Sequence, residues 1–116
     1  MEFSEIIRTE EDELKMNHLP YIMVEKENIE LQDIIRVSVG RYMRHASWVE
    51  HHIVWIELFG VKKDNNQVIN LGRASCAPVY SNPNVRFHVN RIKDFKSFHV
   101  LAYCNIHGLW TSSLER

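Results

Sequence analysis

The chain has 116 residues, 45% of them hydrophobic and 25% charged, with only 4 Gly and 3 Pro. That balance describes one folded domain with one core, and it excludes both a disordered chain and two domains of ordinary size. A net charge of −1 excludes nucleic-acid binding through a general basic field, so any attraction for an anion has to be local.

No run approaches the roughly 18 apolar residues of a membrane span. The start, MEFSEIIRTEEDELK, is too acidic for a secretory signal. The expectation is a cytoplasmic protein with no membrane or nucleic-acid partner, in which Cys76 and Cys104 stay unpaired. A cysteine among many histidines then points to metal or redox chemistry, although two cysteines cannot build a rubredoxin-type centre, which takes four.

In chain order, residues 1–16 read as an N-terminal arm: either residues 3–15 form one or two amphipathic helical turns, or Ile6 and Ile7 anchor an irregular segment. Short alternating runs follow, predicting strands over Tyr21 to Glu25, Ile34 to Gly40, His52 to Val61, Gln67 to Arg73, Val85 to Asn90 and Phe98 to Cys104. Lys62 to Asn66 reads as a hairpin turn and Pro78 to Pro83 as a loop. The pattern is that of an all-β sandwich. In IIRVSVG, Ile35, Val37 and Val39 form the inward face. In HHIVWIELF, Val54, Ile56 and Leu58 are expected inward, with Ile53, Trp55 and Glu57 outward. His51 and His52 must then point to opposite faces, so only one can reach a given metal.

Seven histidines are many for this length, and they cluster. His45, His51 and His52 share one loop and strand start, while Cys104 and His107 close the last predicted strand. Imidazole and thiolate suit borderline and soft metals, and ligands so far apart converge only if their loops share one end of the sandwich. Cys-x-x-His alone is a weak signal, since a lone strand cysteine also serves as a small hydrophobe. His88 and His99 read as surface or packing residues, His52 as a hydrogen-bonded core histidine and Cys76 as a bystander. Trp48, Trp55 and Trp110 read as packing, with Trp110 also placed to shield a site near His107.

Three segments add to this reading: NHLP at 17–20, VSVGRYMRHASWVEHHIVWIEL at 37–58 and YCNIHGLW at 103–110. In that order they resemble the iron-containing superoxide reductases, the neelaredoxin and desulfoferrodoxin family, in its short single-iron form. The resemblance implies an immunoglobulin-like β-sandwich of about seven antiparallel strands. It implies one iron per chain, held by four histidines, His18, His45, His51 and His107, and by the Cys104 thiolate. It also settles His51 over His52. Five donors leave an octahedral ion one open position, opposite the sulfur, where superoxide is reduced by one electron and leaves as hydrogen peroxide. A rubredoxin-like electron donor and a homotetramer are further implications, as are N–H groups of the turn after Cys104 donating to the sulfur.

Two departures stand out. The family commonly has Glu-Lys before the first ligand histidine, whereas this chain has Met16-Asn17, and Ala46 stands where proline is frequent. Asn17 offers hydrogen bonding without charge. Lys15 is therefore the first candidate for attracting superoxide, with Arg41 and Arg44 behind it. In an extended segment Lys15 would face away from His18, so a bend would be required. The rival readings are a blue-copper-like electron-transfer protein, weakened because no methionine follows His107, and an immunoglobulin-like interaction module with incidental histidines.

Overall fold

Alternation between apolar and polar residues, rather than helix-type periodicity, shapes the molecule. The computed structural model describes residues 1–27, 33–40 and 43–116. Two one-turn helices, α1 (Phe3–Ile6) and α2 (Lys15–His18), precede seven strands: β1 (Pro20–Lys26), β2 (Asp33–Val39), β3 (Ile53–Lys62), β4 (Val68–Ser75), β5 (Asn84–Val89), β6 (Phe95–Cys104) and β7 (Gly108–Glu115). They form a three-stranded sheet, β1-β2-β5, and a four-stranded sheet, β4-β3-β6-β7, with every pairing antiparallel. The two sheets share one core, the arrangement of an immunoglobulin-like sandwich.

The core is built from one face of each strand. Ile35, Val37 and Val39 of β2 meet Ile56 and Leu58 of β3 and Phe98, Val100 and Ala102 of β6, and all are at most 1% exposed. Burial of each large apolar side chain contributes roughly 1.5–3 kcal/mol. Cys104 continues the inward row of β6 at the end of the sandwich and is also fully buried.

Two expectations need correction, and one pair of alternatives is resolved. On β3, Ile53 and not Val54 enters the core: a register shift between Ile53 and Trp55 inserts an extra residue, as in a β-bulge, and Val54 instead accepts a backbone bond from Cys76. Ile56 and Leu58 face inward as predicted. Phe98 to Cys104 is not the last strand: the residues after His107 form β7, in register with β6 from Ser97↔Glu115 to Cys104↔Gly108. Its serines and threonine hid the alternation, although Trp110 and Leu114 both face the core. Finally, of the two readings of the arm, the helical turn is present as α1 and Ile6 stays exposed; the arm continues as a strap with Arg8 among its anchors. That residue bridges Trp110 in parallel: its N–H donates to Leu109 O at 3.0 Å, and its carbonyl accepts from Thr111 N–H at 2.9 Å.

The predicted turn between β3 and β4 is present, closed by Asn66 N–H on Lys62 O at 3.1 Å, with Asn66 in the left-handed region. At the opposite end of the sandwich, the ends of β2 and β6 and the starts of β1, β3 and β7 lie together. All the candidate ligands sit there.

Candidate metal centre

Cys104 and His107 are placed by the tight turn between β6 and β7. The turn closes on Gly108, whose φ of +80° is open to glycine and strained for other residues. The His107 N–H points at Cys104 Sγ, 3.4 Å away, in line with the expectation of a donor to the sulfur. His45 follows Val39 of the core row, and its N–H donates to Val39 O at 3.2 Å. Its ring is 1% exposed, with Nδ1 donating to Ala46 O at 2.7 Å, so Nε2 carries a lone pair and faces Cys104 Sγ at 3.5 Å.

His51 lies in a turn closed by reciprocal backbone bonds with Trp48. Asn105 secures this turn from the hairpin side: its Oδ1 accepts the His52 N–H at 2.9 Å and its Nδ2 donates to Glu50 O at 3.1 Å. One amide thus clamps both neighbours of His51, a role the sequence reading missed. His52 is half-buried, with Nδ1 3.0 Å from Trp48 O, and stands outside the group of clustered donors. Both histidines precede β3, so strand alternation does not govern which way they point. His88 is exposed and His99 bonds Ser97, both away from the cluster. Cys76 is half-buried, with its thiol pushed up by burial, and belongs to no ligand group.

His18 ends α2 and is 1% exposed. Its ring stacks on Trp110, with centroids 4.8 Å apart, so Trp110 walls the site as the shielding reading expected. The strap can lie this close because Gly40 lacks a side chain: a Cβ there would be 2.4 Å from the Asn17 carbonyl carbon. Met43 N–H adds a bond to Met16 O at 3.0 Å. The glycine of the VG pair was visible in the sequence, but its task, admitting the strap, was not.

The four rings follow one another in a closed circuit. Centroids are 4.5 Å apart for His18–His45, 4.6 Å for His45–His51, 5.1 Å for His51–His107 and 4.6 Å for His107–His18. One ligand atom from each of His18, His45, His51 and Cys104 lies within 4.8 Å of the others. His107 Nδ1 is 3.0 Å from His18 Nε2 and 3.8 Å from Cys104 Sγ.

Electrostatics favour lone pairs over protons here. Burial first, and then the neighbouring His45, pushes the His18 pKa down to about 4. Burial likewise lowers His45 and His51. His51 Nε2 is buried with no hydrogen-bond partner among the described residues. An orphaned polar atom of this kind costs about 1–3 kcal/mol, a cost that a bound cation removes. A set of nitrogen donors with one sulfur fits a borderline transition metal and not magnesium or calcium.

Of the residues considered for steering, Arg41 lies outside the described residues, and Arg44 Nη1 donates to Asn82 Oδ1 at 3.1 Å. Lys15 opens α2, so the condition of an extended segment is not met. Helical i,i+3 spacing puts Lys15 and His18 on neighbouring positions, with Lys15 exposed and His18 buried. Asn17 turns its Oδ1 to His18 Nδ1 at 2.8 Å, accepting a hydrogen bond there.

The desulfoferrodoxin family model matches residues 10–113. The chain is 36% identical over 103 residues to the superoxide reductase of Pyrococcus abyssi, covering 84% of this chain and 85% of the relative. It is 33% identical over 91 residues to the neelaredoxin of Megalodesulfovibrio gigas, covering 68% of this chain and 69% of that protein. Among solved structures, the superoxide reductase (neelaredoxin) of Ignicoccus hospitalis superposes with a TM-score of 0.82 at 32% identity, covering 99% of this chain and 97% of that one. Fold, clustered donors and family model agree, and the chain belongs to the desulfoferrodoxin family.

Proposed function

We propose that the protein is a superoxide reductase whose single iron is held by His18, His45, His51, His107 and Cys104. The observation that carries this reading is the convergence of imidazole nitrogens on one buried thiol, with His51 Nε2 left without a partner among the described residues. Iron held by such donors would supply one-electron reduction of superoxide, with a rubredoxin-like protein as the source of the electron.

The chain's own residues prepare that chemistry. His18 and His45 each keep a proton on Nδ1, bonded to oxygen, which leaves the lone pair on Nε2, directed at His107 Nδ1 and Cys104 Sγ respectively, to serve a metal. The His107 N–H at 3.4 Å from Cys104 Sγ draws charge from the sulfur and tunes the potential. Trp110 excludes water behind His18, while His51 and His107 are only half-buried and leave the opposite side approachable. Lys15, exposed one helical turn before His18, adds positive charge near the approach in a chain of net charge −1. Asn17 occupies the usual lysine position without its charge. Superoxide is the substrate, the assembly is a homotetramer, and the compartment is the cytoplasm. No described helix is long and apolar enough to cross a membrane.

Metal analysis of freshly purified protein, paired with a superoxide-consumption assay, tests the reading. It predicts one iron per chain and consumption of superoxide dependent on a reduced donor. Copper in place of iron would favour an electron carrier, and a metal-free, inactive protein would favour an interaction module.

A further inference from the structure

His18 is the one candidate ligand on the strap, and α2 is a single turn, too short to orient a side chain through packing along a helix. Stacking on Trp110 fixes the plane of the imidazole but not which of two orientations, related by a 180° turn about Cβ–Cγ, the ring takes. The choice between them is fixed by what Nδ1 meets. Two oxygens lie there: Leu14 O at 3.1 Å and Asn17 Oδ1 at 2.8 Å. A backbone carbonyl can only accept, so Nδ1 carries the proton, and Asn17 must present its oxygen rather than its amide nitrogen. The shorter contact is the side-chain one. Asn17 itself is held, because its backbone sits against Gly40, where not even a methyl group fits.

We propose that Asn17 is a positioning residue for His18: its amide oxygen, together with Leu14 O, locks the imidazole with Nε2 aimed at the cluster and sets how strongly that nitrogen donates to metal. A lysine at this position has three donors and no acceptor, so it cannot perform this task. The residue that departs from the family pattern therefore has a function of its own in this chain. The inference rests on the metal-site reading above.

Two substitutions separate acceptor strength from bulk. Asn17→Leu keeps the size and removes the acceptor, while Asn17→Asp keeps the acceptor and adds charge. In iron-loaded protein, Asn17→Leu should weaken iron(II) binding about tenfold in competition with a chelator, the lower end for loss of a partner to a ligating histidine. It should also raise the ferric/ferrous midpoint potential, and Asn17→Asp should lower it. In the metal-free full chain, nitrogen-15 NMR should show His18 protonated on Nδ1, with the hydrogen-bonded proton shifting upfield in Asn17→Leu and downfield in Asn17→Asp. Identical affinity and potential in all three proteins, or a His18 ring signal indifferent to both changes, would overturn the proposal. If the wild-type protein binds no iron, the functional reading fails, and the NMR result alone decides the role of Asn17.

Discussion

The β6–β7 hairpin and the N-terminal strap both deliver donors to the same cluster, yet they hold them by different means. Cys104 and His107 sit where an uninterrupted antiparallel ladder turns back on itself, so strand register alone places them. His18 rides on a strap with little regular structure. It is fixed by the Arg8 bridge to Trp110, by the Asp12 turn whose carboxylate accepts the Leu14 N–H at 2.9 Å, and by close approach to Gly40. A ladder resists single substitutions because its bonds are many and mutually supporting. A strap depends on a few contacts, each of which can be removed. The centre should therefore fail in different ways depending on which support is touched.

The largest effect is expected at the hairpin's own donor. Cys104→Ser should abolish the thiolate-to-iron charge-transfer band in the visible spectrum and most of the activity, because serine is a much harder and weaker donor. Survival of the band would move the sulfur ligand to Cys76, the other cysteine of the chain. Next comes the adjacent pair. His51→Ala should weaken iron binding by on the order of 100-fold or more, beyond what loss of an outer partner costs. His52→Ala should change it little, and equal losses would contradict the orientation of the two rings.

The two glycines compare the supports directly. Gly40→Ala places a methyl group 2.4 Å from Asn17, so the strap must retreat and iron affinity should fall about tenfold. Gly108→Ala meets no atom within 4 Å and only strains the turn. It should cost about 1–2 kcal/mol in thermal unfolding and leave iron content intact. Should the two variants lose iron alike, the hairpin is no firmer than the strap.

The smallest effect belongs to steering. Lys15→Ala should slow the reaction with superoxide, and Asn17→Lys should speed it, each by a factor of roughly two to three at low ionic strength, with salt erasing both changes. Asn17→Lys should at the same time loosen iron, because it removes the acceptor on His18. Rapid-mixing kinetics showing neither salt-dependent change would shift attention to Arg44.

The β6 arm of the hairpin was also the part most legible in the sequence, and the reason is physical. Period-2 alternation exposes register, so Phe98, Val100, Ala102 and Cys104 declare one inward face without any other information. A bulge breaks that rule, which is why Ile53 and Val54 were exchanged. β7 escaped notice because Ser112 and Ser113 blur its alternation, although Ser112 Oγ donates to Pro20 O and joins β7 to β1. The strap carried almost no periodic signal. Its placement depends on Arg8 and Gly40, contacts between segments that no local pattern encodes. For that reason His18 entered the reading through family resemblance, as did the choice of His51 over His52, whereas the clustering of His45 and the His51-His52 pair, and of Cys104 with His107, was visible in the residues themselves.

Product stoichiometry is the most direct test of the central claim. Iron-loaded protein, fully reduced and freed of excess donor, would be mixed anaerobically with a limiting amount of superoxide, and iron oxidation, hydrogen peroxide and dioxygen would be measured together. A superoxide reductase oxidises one iron and yields one hydrogen peroxide for each superoxide consumed, with no dioxygen produced from superoxide. Dioxygen released with only one peroxide for every two superoxide consumed, or iron left reduced, would contradict it.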